Sequence, residues 1–326
     1  MRIVRKRLCD LSSNDIEEIG SFLNSHLSTV FHEPDFNKIV EEAFNTEFSY
    51  YLAYNDKGEL IALCPQHSIK NGILTRTYSN PAIYEVPYGG WIYDITKVSF
   101  PKLINQKRIS FNESLTYWSI PQIVNDDYKE LQQKRIFQTA IIDLNLSEDA
   151  IFDNCLSANK RSRIRRAMRK GVCVKMGGIE YFEEFYKTFI AMKGKTGLTK
   201  YPKEYYQKII EHYSHTNKCK IFLSEINHTL LSGIVTIGNK YLIHYWLGGM
   251  LDINKNLYQN DYIHWEAIKW AKESGSRYYD LCVVEPERLP NIARFKLGFS
   301  KRIVPFYCIT KRKIGYRAIS RIKRCL

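Results

Sequence analysis

Asp261-Tyr-Ile-His-Trp265-Glu-Ala267-Ile-Lys-Trp270-Ala271-Lys-Glu-Ser-Gly275-Ser-Arg-Tyr-Tyr279-Asp280-Leu is the stretch on which the reading of this chain turns. It predicts a helix over 261–274, a glycine break at Gly275, and a strand over 278–284 that carries the carboxylate of Asp280. Just beyond it, Arg294-Phe295-Lys296-Leu-Gly298-Phe299 reads as a short basic and aromatic turn closed by glycine. A helix, a strand with a carboxylate and a cationic turn this close together mark the edge of an active site.

Working outward, Tyr241 to Gly248 reads as a strand that enters a polar loop, Asp252 to Gln259. Before it, Pro202 to Tyr213 reads as a helix, and Lys220–Ile226 with Leu230–Ile237 as a hairpin about a turn at Asn227-His228. The first half repeats that order. Pro34 to Phe44 has helical apolar spacing at 36, 39, 40, 43 and 44, and Tyr50–Tyr54 and Leu60–Cys64 flank a turn at Asn55-Asp-Lys-Gly58. Two distant copies of one element order imply two domains of one fold rather than a solenoid. Ile141 to Leu146 reads as the strand that ends the first, and Ser147-Glu-Asp as the N-cap and acidic first turn of the next helix. The expected domains are therefore 1–148 and 149–326, the second closing with a strand over 304–310.

At 326 residues the chain exceeds what one core supports, and 44% hydrophobic with 13% aromatic content fills two. The apolar runs fall short of the ~18 residues of a membrane span, and Met1-Arg-Ile-Val-Arg-Lys-Arg-Leu-Cys lacks a signal-peptide core, so a cytoplasmic protein is expected. Eight scattered cysteines without C-x-x-C or histidine at ligand spacing read as reduced thiols, with no metal site expected. The formal charge of +14 implies an anionic partner, which net charge alone does not choose.

One segment concentrates that charge. Ser157-Ala-Asn-Lys160-Arg-Ser-Arg163-Ile-Arg165-Arg166-Ala-Met-Arg-Lys-Gly171 contains no acid and predicts a helix capped by Gly171, with Ile164, Ala167 and Met168 as a thin apolar stripe. Guanidinium forks suit phosphate, so Arg163, Arg165, Arg166 and, from the later turn, Arg294 are candidates to hold a pyrophosphate-bearing donor or acceptor, or a tRNA backbone; a solvated charged face is the plainer alternative. Lys296 follows Phe295 in that later turn, where one lysine in a basic protein can also merely decorate the loop. Asp280 is a candidate base, weighed against a carboxylate paired to a neighbouring group. Tyr88 and Trp91 in the first half, with Tyr245 and Trp246 in the second, are candidates to line the acceptor site, against a role in the core.

Trp265-Glu-Ala267-Ile-Lys-Trp270-Ala271, Gly275, Tyr279-Asp280 and Phe295-Lys296-Leu-Gly298-Phe299 together resemble the closing segment of the FemAB-like branch of the GNAT superfamily, and the Arg/Lys-rich helix ending in Gly171-Val resembles that branch too. Val86-Pro-Tyr-Gly-Gly90-Trp is similar to the Gly-Gly loop of its N-terminal half. The resemblance implies an α/β fold of mixed sheets in two tandem GNAT-like domains. It implies a metal-free N-acyltransferase in which Lys296 stabilises an oxyanion and acyl-CoA serves as co-substrate. Asn254 to Asp261 lacks the glycines with which GNAT enzymes usually hold CoA pyrophosphate.

The leading expectation is transfer of an acyl group from acyl-CoA to an amine of a nucleotide- or lipid-linked cell-envelope or polysaccharide precursor. An aminoacyl-tRNA donor, as in the peptidoglycan cross-bridge ligases, is the alternative; a non-catalytic nucleic-acid-binding protein is the third. Lys311 to Leu326, basic and without acids, reads as an amphipathic tail that would rest on the inner face of an anionic membrane, or equally as a frayed, solvated tail.

Overall fold

The computed structural model describes residues 1–79, 85–106, 110–123, 134–197, 199–251 and 255–325; for 105, 106, 196, 255 and 320–325 only the backbone is described. The chain forms two compact units, Met1–Phe137 with Pro305–Leu326, and Gln138–Val304.

In the first unit the strands are β1 (Arg2–Arg7), β2 (Glu47–Tyr54), β3 (Leu60–Asn71), β4 (Leu74–Ser79), the short β5 (Ile92–Tyr93) and β6 (Glu113–Trp118). Its helices are α1 (Ser13–Ser25), α2 (Pro34–Phe44) and α3 (Phe100–Gln106). Ser12 and Asp15 start α1 with a reciprocal capping box, and Pro34 starts α2 where no amide is needed. Strand alternation then sorts the core. Phe48, Tyr50 and Leu52 of β2 pack with Ile19, Phe22 and Leu23 of α1. Tyr51 and Ala53 face the other way, toward Phe100, Leu103 and Ile104 of α3.

The second unit has an antiparallel run of β8 (Cys173–Gly177), β9 (Cys219–Ile226), β10 (Thr229–Gly238) and β11 (Leu242–Met250), followed by β12 (Tyr278–Val283) and β7 (Arg135–Asp143). Only β11 and β12 pair in parallel among these. Its helices are α4 (Glu148–Ala150), which runs into a π-helical turn over Ile151–Cys155, α5 (Ala158–Arg169), α6 (Phe182–Thr196), α7 (Lys203–His215), α8 (Gln259–Glu273) and α9 (Pro290–Leu297). Ile263, Trp265, Ala267, Ile268, Trp270 and Ala271 of α8 supply much of the core on one face of the sheet. On the other face α6 lies so close to β11 that a Cβ at Gly249 would stand 2.3 Å from the Phe189 amide nitrogen, so only glycine fits there.

Two expectations are corrected. Residues 294–299 do not form a turn: Pro290 opens α9, Arg294 and Lys296 sit in its last turn where cations suit the dipole, and Gly298 follows. The last strand, β13 (Ile303–Arg312), does not close the second domain, because Cys308–Arg312 pair with Ser114–Trp118 of β6 in the first unit. The final helix α10 (Ile314–Cys325) follows it, so the compact units divide at 137/138 and 304/305 rather than at 148/149.

Candidate active site

The site starts from a fork in the sheet. Parallel pairing of β11 with β12 covers only Leu242–His244 and Tyr278–Asp280, although β11 runs on to Met250. Beyond Asp280 the register of β12 shifts against β7, and Cys282 adopts a left-handed φ of 57°. The strands therefore part just past Asp280.

Asp280 itself is locked. Its carboxylate, fully buried, accepts from the Thr139 hydroxyl, from His244 Nδ1 at 2.7 Å and from the Cys282 amide at 2.9 Å. Burial alone would raise its pKa, but these donors hold it below the ordinary carboxylate value. The paired carboxylate, not the base, is the role this environment supports. His244, Asp280 and Cys282 bring N, O and S donor atoms within 4.8 Å of one another. The carboxylate is engaged by His244 and by the Cys282 amide.

Lys296 enters the same fork from α9. Its ammonium donates to the Val283 carbonyl at the end of β12 at 2.9 Å and lies 5.7 Å from the Tyr245 ring centre. It is 8% exposed, and burial lowers its pKa below the usual lysine value. Beside it His264 packs against Tyr245, Phe295 and Phe299. Burial, together with Lys160 and Lys296, keeps that imidazole neutral. An ammonium desolvated in this way can stabilise an oxyanion far better than one in water.

The basic helix divides its labour in a way that spacing along the chain does not reveal. Lys160 turns inward and forms a buried ion pair with Asp261 in the first turn of α8. Its ammonium also lies 3.4 Å from the ring centre of Phe295 and 4.2 Å from that of Phe299. Gly298 between them is required by this contact, since a Cβ there would stand 2.6 Å from Lys160 Cε and 2.9 Å from Cγ. The Ser157 amide donates to the Gly298 carbonyl at 2.8 Å and completes the junction. Phe295, Gly298 and Phe299 thus grip one lysine, which joins α5, α8 and α9. Gly298→Ala is expected to destabilise by about 1–3 kcal/mol through overpacking, measurable by thermal or denaturant unfolding.

Of the four expected phosphate binders, Arg163 and Arg294 meet at one cavity and the others do not. A cavity of about 690 Å³ is lined by Ser157, Asn159, Lys160 and Arg163 from the start of α5, and by Pro290, Arg294 and Phe295 from α9. Arg165 lies instead over the Phe152 ring at 5.1 Å, and Arg166 is exposed elsewhere on α5. The aromatic expectation is corrected in part. Tyr88 is buried in the first unit with its ring edge-on to Phe306 at 5.1 Å, and Trp246 packs toward Tyr206. Trp91 is 1% exposed and borders a separate cavity of about 250 Å³ with Ile92 and Tyr93. Tyr245 alone of the four stands beside Lys296, its phenol pushed up to about 12 by burial.

The residues at the start of α8 do not fit a CoA pyrophosphate. The resemblance drawn from the sequence would place that group on a glycine-backed loop at the N-terminus of α8. Here Tyr258 to Asp261 contain no glycine, Gln259 is buried, and the Asp261 carboxylate already occupies the first turn with Lys160 as its counter-ion. A second anion would meet that carboxylate.

Residues 158–296 match the family described as an acetyltransferase (GNAT) domain. A UDP-N-acetylmuramoylpentapeptide-lysine N(6)-alanyltransferase of Weissella viridescens is 31% identical over 150 residues, 45% of this chain and 44% of that relative. The match thus spans less than half of that protein's length. The crystal structure of FemX superposes with a TM-score of 0.72 at 12% identity, covering 99% of both chains. L-PGS from Bacillus licheniformis (TM-score 0.53, 15% identity, 94% of both chains) and a tandem GNAT protein from the clavulanic acid pathway (0.53, 9% identity, 95% of this chain and 98% of that one) share the fold. The fold is a mixed α/β one, similar over residues 158–296 to the GNAT domain and over nearly the whole chain to the FemX structure.

Proposed function

We propose that the chain is an aminoacyltransferase that moves an aminoacyl group from the ester of a charged tRNA to an amine of a peptidoglycan precursor. The acyl-CoA reading gives way to its alternative. The observation that carries this choice is the pair of sites on α5: Asp261 and Lys160 fill the helix end where CoA pyrophosphate would sit, whereas Arg163 and Arg294 border an open cavity of about 690 Å³. That volume lies within the roughly 300–1,000 Å³ of small-ligand pockets, and its apolar wall with a guanidinium rim suits a nucleotide. The name of the Weissella relative, which transfers alanyl to a lysine N6 of a UDP-linked pentapeptide, supports the acceptor class. The non-catalytic reading gains no support from these relatives.

In this reading the terminal nucleotide of the donor lies in the cavity and its ester carbonyl reaches toward Lys296. The acceptor amine attacks the carbonyl carbon, and negative charge gathers on the oxygen beside the Lys296 ammonium. Collapse breaks the bond to the ribose oxygen, which takes up the proton the amine loses. The balance thus needs no carboxylate base, consistent with the locked Asp280. Arg163→Ala and Arg294→Ala are each expected to raise the KM for charged tRNA about tenfold with kcat little changed, as charge-assisted hydrogen bonds of this kind are worth about 1.5–3 kcal/mol. Steady-state kinetics at two salt concentrations measures this; an unaltered KM in the double variant sinks the assignment of the cavity.

A further inference from the structure

Three large apolar side chains of the first unit stand two-thirds exposed or nearly so at one end of its sheet. They are Ile73 (64%), Phe111 (70%) and Ile314 (79%). Three separate segments bring them there. Ile73 tips the turn between β3 and β4, and its carbonyl accepts from Asn112, the neighbour of Phe111. The Phe111 ring lies against Gly315, where a Cβ would meet it at 2.0 Å, and the Phe111 carbonyl accepts from the Tyr316 amide at 3.1 Å. Tyr316 in turn accepts from Arg76 of β4 at 3.0 Å, which fixes the first turn of α10 to the sheet. The patch is therefore built by the fold and is not a fraying tail.

Cations surround it. Lys70 at the end of β3 is exposed, as are Arg312, Lys313 and Arg317 at the junction of β13 and α10. Among the described residues two carboxylates stand nearby. Glu113 is engaged by Thr77 at 2.7 Å and by the Ser110 amide at 3.0 Å, and Glu47 lies 3.9 Å from Lys70 while paired with Arg5. Exposed isoleucine and phenylalanine ringed by lysine and arginine is the composition that settles at the boundary of acyl chains and anionic head groups.

We propose that this patch is a docking surface for an anionic phospholipid bilayer, with Ile73, Phe111 and Ile314 inserting and Lys70, Lys313 and Arg317 pairing with head-group phosphates. Charge complementarity favours a lipid surface over a second copy of the chain, because two such basic rims would repel. Nucleic acid would satisfy the cations but gives the three apolar side chains nothing to enter.

The test is co-sedimentation of the purified chain with vesicles of phosphatidylglycerol and phosphatidylcholine, and with phosphatidylcholine alone. Binding is expected to the anionic vesicles only. The triple variant Ile73→Ser, Phe111→Ser, Ile314→Ser should lose at least tenfold in partitioning, and each of Lys70→Ala, Lys313→Ala and Arg317→Ala about fivefold. Transfer to a soluble acceptor should be unchanged in all of them, since none lies at the fork or the 690 Å³ cavity. Equal partitioning of the triple variant overturns the proposal, as does a concentration-dependent dimer that the triple variant abolishes, or binding of uncharged tRNA that the lysine and arginine variants weaken while vesicles leave the protein unbound.

Discussion

Lys296→Ala is expected to lower kcat by about 10²–10³ while leaving the KM of donor and acceptor within a few fold, the pattern of a group whose interaction strengthens only in the transition state. The ammonium is almost dry, held at 2.9 Å from the Val283 carbonyl where the two parallel strands part. Its charge would therefore act with little solvent screening. Arginine should not restore the rate, because its planar fork cannot take the place of a compact ammonium in that space. The pH dependence separates chemistry from folding. Burial puts the folded-state pKa of Lys296 below its unfolded value, so between the two the unfolded chain binds more protons and the lysine's contribution to stability rises with pH. Below the folded pKa the full cost of the buried charge is present. Rate should move the opposite way, falling as the ammonium is lost. A pH profile of kcat beside one of unfolding free energy, each compared with Lys296→Ala, tests both signs.

The second large effect concerns the clamp that positions α9. Lys160→Ala removes the counter-ion of a buried carboxylate, so a loss of about 3–5 kcal/mol is expected, lowering the melting temperature of the second unit by about 10 °C. Replacing both partners, as Lys160→Met with Asp261→Leu, should recover most of that stability, because a buried ion pair seldom outperforms a well-packed apolar one. The rate should not recover with it. Phe295 and Phe299 would lose the ammonium they enclose, and a small displacement of α9 moves Lys296, for which a misplacement of about 1 Å can cost 10²-fold. Burial lowers the Lys160 pKa to about 8 despite the attraction of Asp261. The sign is as for Lys296: from about 8 up to 10.5 the unfolded state holds more protons, so this lysine's contribution to stability rises with pH over that window even as the clamp loses its charge. Calorimetry and kinetics of the single and double variants distinguish the outcomes; full recovery of kcat in the double variant would mean the clamp is structural only.

The element order was legible because hairpins and amphipathic helices announce themselves within a few residues. Asn227 and His228, both with positive φ, make the tight turn that joins β9 to β10, and Gly171 with φ 80° ends α5 where a helix stop was read. Long-range pairing was not legible. The return of β13 to β6 depends on residues almost two hundred positions apart, with Thr116 and Thr310 facing at a separation of 194. Lys160 was hidden for the same reason. It looked like one cation in a row, and its partner Asp261 lies 101 residues away. Gly298 between two phenylalanines was the available clue, since a glycine in that place asks what passes over it. Separations of 141 and 36 residues likewise hid Thr139 and His244, the partners that make Asp280 the paired carboxylate rather than the base. The helical state of 290–297 was readable in retrospect from Pro290 at its start and two cations before Gly298. A phenylalanine-lysine pair next to glycine reads as a turn only when the proline upstream is overlooked.

The donor is what distinguishes the two acyl-transfer reactions. The measurement is product formation, followed by mass spectrometry, with the purified chain, a UDP-N-acetylmuramoyl pentapeptide bearing a lysine, and either alanyl-tRNA or acetyl-CoA. A product heavier by one aminoacyl residue on the lysine amine is expected with the charged tRNA, and none with acetyl-CoA. Acetylation from acetyl-CoA, with charged tRNA left intact, would contradict the proposed function.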